Sequence, residues 1–525
     1  MTESNAAHGA QPSVLGFAPP AEAGPAVRRD RWSQLLVRPA AWIPILGLQA
    51  ALALRLNGPI STDEATYVVA GQRLISNLLS GSAVQDYGTY FSGIPGLYPV
   101  LAAAIDDVGG LAAVRAFSLL CMLAVNLCLY LIAAALFGRP SAIFASLVFA
   151  IGSGVSFIGW YATFDAPSLA LLALATLLAL QAAERPGWRR EVAIGVVLVL
   201  AVAVKYVALE YVPAVLGILV LRGCAVGSWR RAFGQPLLVI AAGAAGAAVT
   251  VAMVSPSNWI GFTATSSSGR VILQGTDKLS LLELSWSYIG CWMLLALLGV
   301  LIAWKRASSR LMAGLLFATG MLPIVTHVVL GEEVSLHKHT AFGFFFAAPL
   351  AGLAVATAFA VGRRRTVRGL PGRNLTATTA LIPAAMVAWI FIMLGTGMSS
   401  ASNMKFGWPI EEDVVTALDP HVNGSGNYLA DNPSIPSYLF DDRTLPSQWT
   451  APWFFGYVID GVMVFGDQAL ERAVLDQYFD VIVYRPTTFT PDQQEQLLPA
   501  IVARYQLADS LPYGGGQWSI WIPIR

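Results

Sequence analysis

Long apolar runs broken by short charged stretches dominate the chain between residues 39 and 396. A helix needs about 20 mostly apolar residues to cross hydrocarbon, because there each backbone N–H and C=O must find its partner inside the helix. That criterion predicts about eleven spans, near 39–57, 111–137, 141–160, 166–183, 190–204, 206–222, 235–255, 284–304, 311–330, 340–361 and 376–396. Two pairs, 141–183 and 190–222, are almost continuous, and their breaks at "YATFDAP" and "AVKYV" follow from length and charge.

Two regions depart from this pattern. In 65–80, Tyr67, Leu74, Ile75, Leu78 and Leu79 share one helical face while Thr66, Arg73, Asn77 and Ser80 share the other, which predicts a helix lying in the interface. The following run, "IPGLYPVLAAAI", is too short to span before Asp106 and Asp107, so a second interfacial helix is expected in the same loop. From about residue 398 the hydropathy falls to that of a globular domain, with "FDVIVYR" and "WSIWIPI" reading as strands and "DQALERAVLDQY" as a helix. The expected fold class is therefore an all-α polytopic membrane protein with a small extracytoplasmic α/β domain at 398–525. Residues 1–36, rich in Ala, Pro and Gly, read as a cytoplasmic tail.

Composition agrees: 56% of the 525 residues are hydrophobic and 12% charged, with a mean hydropathy of +0.62, far from soluble domains. The net charge of +1 conceals an uneven distribution and gives no ground for a nucleic-acid partner. "RRDR", "GRP", "ERPGWRRE", "LRGCAVGSWRR", "WKRASSR" and "GRRRTVRGLPGR" occupy alternate loops, and the positive-inside rule puts these in the cytoplasm. The other loops, carrying Asp63, Glu64, Asp86, Asp165, Lys205, Asp277, Glu283, Glu332 and Glu333, then face outward with the C-terminal domain. The Ala, Gly and Arg bias suggests a bacterial plasma membrane. Cys121, Cys128, Cys224 and Cys291 lie in or beside apolar runs without metal-type spacing and read as small buried hydrophobes.

The outward loops hold the candidate chemistry. Ser61 and Glu64 fit a capping box at the start of the first interfacial helix, which leaves Asp63 as a carboxylate able to serve as a general base. Asp165, shortly before Pro167, suits either a helix cap or a second functional acid. Lys205 suits snorkelling or phosphate binding, and Glu210, inside the following span, needs a partner, for which Lys205 is nearest in sequence. "GEEVSLHKHTAF" brings Glu332, Glu333, His337, Lys338 and His339 into one loop; a divalent metal could use the acids and histidines, although the lysine disfavours a nearby cation. Arg270 and Lys278 are further phosphate candidates, and Tyr87, Tyr90 and Tyr98 could stack on a sugar or lipid, or simply belong to an aromatic belt.

The order of "STDEATYVVAGQRL", "PGLYPVLAAA", "AVRAFSLL", "FDAPSLALLALA" and "AVAVKYVALEYVPAVL" resembles the GT-C glycosyltransferases, in particular the protein mannosyltransferase and aminoarabinose transferase branch. The resemblance covers roughly residues 40–400. It implies inverting transfer of a sugar from a polyprenyl-phosphate donor to a glycan, lipid or protein hydroxyl, at the membrane's outer face and with no firm cofactor. It implies Asp63 as base, Asp165 as a supporting acid, and Lys205 at the donor phosphate; the loop residues themselves add Glu64, Arg270, His337, Lys338, His339 and Tyr90 as candidate substrate contacts. Where the family carries an "RY" motif at the tenth span this chain has "LHKHTAF", so Lys338 or His339 would supply the missing cation. A multi-span carrier or an envelope-assembly scaffold are rival classes; a carrier would place its ionisable groups at the midplane, whereas nearly all of these lie at span ends.

Overall fold

In the computed structural model the described residues are 42–82, 84–89, 91–266, 276–367, 384–385, 387–396, 398–399, 409–452, 455–485, 491–513 and 516–525. The N-terminal tail, Tyr90 and Arg270 lie outside them, as does much of the expected span at 376–396.

Helices fill the apolar region in the expected order. They are α1 (Ile43–Leu54), α2 (Thr62–Ser80), α3 (Tyr98–Phe137), α4 (Arg139–Ala150), α5 (Ser153–Trp160), α6 (Asp165–Glu184), α7 (Trp188–Val204), α8 (Val212–Ala225), α9 (Gln235–Met253), α10 (Ser257–Ser266), α11 (Lys278–Ser285), α12 (Cys291–Trp304), α13 (Arg310–Leu330) and α14 (Leu336–Val367). Among the described residues seven helices are long and apolar enough to cross a membrane. The pair α4–α5, bent by 66°, would make an eighth. The expected span at 39–57 is a helix of only 12 residues here, and that at 190–204 one of 17.

Close backbone approach replaces hydrophobic driving force where apolar helices meet apolar surroundings. At Gly352 of α14 a Cβ would strike the backbone of Ser141 and Ala145 in α4. The bundle core, with Phe149, Phe342, Phe345 and Phe346 completely buried, forms around these contacts.

The stretch between α1 and the long apolar part of α3 differs from expectation. α2 does form, with Gly81 in the left-handed region (φ 70°) ending it, but Tyr67, Val68, Ala70 and Gly71 face protein while Leu78 and Leu79 are exposed. Gly71 lies so close to Pro99 that any Cβ would overlap its carbonyl, which locks α2 against the start of α3. The second expected interfacial helix is not separate: it runs into the span, and a break at Gly109 and Gly110 (φ 65°) turns the chain between the two parts. Two glycines in succession permit that turn, since a left-handed residue with a side chain would be strained.

The C-terminal domain carries a hairpin of β3 (Gly456–Ile459) and β4 (Val462–Phe465), and a five-stranded sheet in the order β2-β1-β5-β7-β6, from β1 (Tyr428–Ala430), β2 (Trp449–Thr450), β5 (Val481–Tyr484), β6 (Tyr505–Tyr513) and β7 (Gly516–Pro523). β1 is parallel to β2 and β5, and β7 antiparallel to β5 and β6. Both predicted strands are present, and the predicted helix is Asp467–Leu475. Separate apolar clusters cover the two faces, and one of them takes in Ile60 and Ala65 of the membrane domain. Polar contacts continue that seam: Asn432 donates to Thr62 (2.6 Å), Thr66 to Ser434 (3.1 Å) and Tyr438 to Asp106 (2.8 Å). The domain is thus seated on the first two turns of α2.

Candidate active site

The N-terminus of α2 is held by Glu64. Its carboxylate closes the capping box with Ser61, accepting from the Ser61 amide at 2.9 Å while the Glu64 amide donates to Ser61 Oγ at 3.2 Å. The same carboxylate takes both Nε and Nη2 of Arg115 at 2.8 Å and the Ala162 amide at 2.8 Å. Arg115 in turn donates to the carbonyls of Gly58 and Pro59 and lies over the rings of Trp160 and Tyr161. Glu64 is completely buried, so its expected role in substrate binding is corrected: both oxygens are committed to protein donors.

Asp63, one residue earlier, points elsewhere. It lines a cavity of ≈ 560 Å³ together with Tyr67, Phe164, Lys205, Glu210 and Lys338. Its carboxylate pairs directly with the ammonium of Lys338, from the first turn of α14 and 275 positions away in sequence. Burial pushes the Asp63 carboxyl up, but Lys338, with a contribution from Lys205, more than offsets this and holds it below the ordinary carboxylate range.

Asp165 begins α6 and makes no capping bond of its own; the cap position is Phe164. The Asp165 carboxylate instead pairs with Lys205, both side chains being buried. Lys205 is the extended residue (φ −150°, ψ 123°) between α7 and the 3-10 turn Tyr206–Tyr211. Two backbone bonds from the 91–97 loop brace it: Ile94 to Ala203 (2.8 Å) and Tyr206 to Ser92 (2.8 Å). Its ammonium lies 4.6 Å from the Phe164 ring centre. The expected Lys205–Glu210 pair is absent, because Asp165 takes the lysine; Glu210 accepts from Thr326 at 3.3 Å.

The stretch 331–339, whose last four residues open α14, separates rather than gathers its ligand-like residues. The His337 ring packs between Phe157 and Tyr288 and lies outside the cavity lining. His339 lines the cavity and bonds His327 ring to ring at 2.9 Å, while His327 bonds the Glu332 carbonyl at 2.6 Å. Glu333 is exposed. Among the described residues no group of three His, Cys, Asp or Glu side chains could hold a metal ion, so Glu332, Glu333, His337 and His339 do not come together as one ligand set. Lys278 lies at the start of α11, where Asp277 caps the helix, and does not line the cavity. Tyr87 and Tyr98 are buried with Tyr67 and Phe91 in an aromatic cluster behind the cavity.

Sequence reasoning missed His327 and Thr326, which reach the cavity from the far end of α13. The one available signal was a histidine near the end of an apolar span, where a titratable group has to have a partner.

An apolar groove of ≈ 620 Å³ adjoins the cavity and shares Tyr206, Leu209 and Phe262 with it. α7 and α9 form its walls, from Leu198 and Val202 on one side to Val239 and Val251 on the other.

The sequence profile of the dolichyl-phosphate-mannose-protein mannosyltransferase family matches residues 100–257. No curated protein matches the chain. Among solved structures, ArnT from Cupriavidus metallidurans in the apo state superposes with a TM-score of 0.53 at 13% identity, over 92% of this chain and 98% of that one. The same enzyme bound to undecaprenyl phosphate gives 0.54 at 13%, over 91% and 97%. The Archaeoglobus fulgidus oligosaccharyltransferase gives 0.54 at 12%, over 84% and 69%. The protein is a multi-pass membrane protein with the GT-C fold of polyprenyl-phosphate-sugar glycosyltransferases.

Proposed function

We propose that this protein is an inverting glycosyltransferase of the bacterial plasma membrane. It moves a sugar from a polyprenyl-phosphate donor to an acceptor hydroxyl on the extracytoplasmic face, the acceptor being a glycan, lipid or protein. The observation that carries this reading is the join between the polar cavity, with Asp63, Lys338 and Lys205 at its wall, and an apolar groove opening between α7 and α9. A phosphate bearing a long isoprenoid tail is a ligand with both halves: the tail lies along the groove and the phosphate reaches the lysines. The ArnT structure with undecaprenyl phosphate and the oligosaccharyltransferase structure with a dolichol phosphate and an inhibitory peptide, on the same fold, support a lipid phosphate as the donor's carrier.

The chemistry follows from the groups present. Asp63 is the general base, taking the proton from the acceptor hydroxyl as its oxygen attacks the anomeric carbon. Lys338 and Lys205 stabilise the charge that develops on the departing phosphate. Attack opposite the leaving phosphate inverts the anomeric centre. Asp165 orients Lys205, and His339, backed by His327, borders the same space. The basic loops stand on the cytoplasmic side, as the positive-inside rule requires.

Purified protein in liposomes, supplied with a polyprenyl-phosphate sugar and acceptor extracts, tests the assignment. Asp63→Asn is expected to lower turnover by roughly 10²–10⁴-fold, the usual contribution of a general base. Undiminished transfer by this variant would remove Asp63 from that role. Uptake of the lipid-linked sugar across the bilayer without bond cleavage would instead identify a carrier.

A further inference from the structure

The two ion pairs of the cavity differ in exposure. Asp165 and Lys205 expose almost nothing, their side chains being 0% and 4% accessible, although Lys205 lines the cavity. The Asp63 side chain keeps 44% of its surface and Lys338 keeps 16%, and both border the cavity. A carboxylate gripped by an ammonium is a poor base, yet of the two paired acids it is Asp63 that stays open to an incoming hydroxyl. A lysine ammonium, with three donors at the end of a flexible stem, can exchange one anion for another.

We propose that Asp63 and the donor phosphate compete for Lys338, so that arrival of the donor draws the ammonium away from Asp63 and converts a masked carboxylate into the base. This rests on the donor reading above and adds an order to it: the lipid donor must bind before Asp63 can act. The tail held in the apolar groove gives the phosphate a high effective concentration beside Lys338. Once the ammonium has moved, the chief influence holding the Asp63 carboxyl down is gone, so its affinity for a proton rises.

Charge is conserved through the cycle. The acceptor oxygen bonds to the anomeric carbon, the bond from that carbon to the phosphate oxygen breaks with its electron pair passing to the phosphate, and the hydroxyl proton passes to Asp63. The phosphodiester monoanion becomes a phosphate monoester dianion and the carboxylate becomes neutral. Lys338 is thereby held by the product until Asp63 loses its proton to water. The restored carboxylate then reclaims the lysine, which assists release of the polyprenyl phosphate.

The experiment is a binding cycle with undecaprenyl phosphate on full-length protein in lipid nanodiscs. Asp63→Asn removes the competitor while keeping its shape, and is expected to bind the lipid about fivefold tighter than the native protein. In a Lys338→Met background the same Asp63→Asn change is expected to have no effect, because there is no ammonium to compete for. Lys338→Gln replaces methionine if the latter lowers the melting temperature. Unchanged or weaker binding by Asp63→Asn overturns the proposal, as does equal tightening in the Lys338→Met background, which would signify general anion repulsion. Absence of lipid binding by the native protein overturns the donor reading itself, and the proposal with it.

Discussion

Asp63 and Glu64 are adjacent carboxylates with opposite fates, and helix geometry accounts for the difference. Consecutive residues on a helix point about 100° apart, so the N3 position of Glu64 reaches back to the capping amide while Asp63 at N2 turns to the cavity. Arg115 is what makes the burial of Glu64 tolerable. Breaking a buried pair by removing one partner typically costs about 3–5 kcal/mol because a charge is stranded. Arg115→Met should therefore lower the melting temperature in detergent markedly, and Arg115→Met with Glu64→Gln should recover part of the loss. A melting temperature for the single variant equal to the native one would contradict the stranded-charge account. Ser61 and Glu64 were legible as a capping box from their spacing; Arg115, 51 residues away, was not, because an arginine early in a span carries no local sign of its partner.

At the scale of elements, the decisive contact is α2 against the start of α3. The helical period of 65–80 was readable, but the face it buries was assigned to lipid when protein covers much of it. Leu78 and Leu79, exposed at the C-terminal end, satisfied the amphipathic pattern equally well. Hydropathy identifies an apolar face without identifying what meets it. Gly71→Val would drive a side chain into the Pro99 carbonyl and shift the base of the helix that carries Asp63. Displacement by about 1 Å at a reacting group can cost roughly 10²-fold in rate, so turnover should fall by that order while the helical circular-dichroism signal is retained. Native turnover in this variant would show that α2 is not held through that contact. The interruption at Lys205 is a second element-level device: the chain is extended for one residue between helices, and the 91–97 loop bonds on both sides of it.

At the scale of the molecule, the C-terminal domain is coupled to the site through α2. Thr62 and Thr66 flank Asp63 in sequence and both bond the domain, through Asn432 and Ser434. Tyr438 fastens the same face to Asp106. Combining Tyr438→Phe with Thr66→Val should speed amide hydrogen exchange in 62–66 and 434–439 and reduce transfer, with the bundle helices unchanged. Exchange confined to 434–439, leaving 62–66 as protected as before, would show that the domain does not brace the site.

The sequence by itself determined the membrane class, the order of the helices, the strand and helix identities of the C-terminal domain, and the loops that hold Asp63, Asp165, Lys205 and Lys338. These are set by local composition and period, since a lipid-embedded helix has to satisfy its backbone internally. Only the tertiary structure decided which charge meets which. Asp63 chose Lys338 rather than Lys205, Asp165 took the lysine that Glu210 seemed placed to claim, and His337 turned away from the histidine two residues on. Such pairings are made between helices distant in the chain, where the cost of an unpaired charge depends on the cavity around it and on no neighbour in sequence.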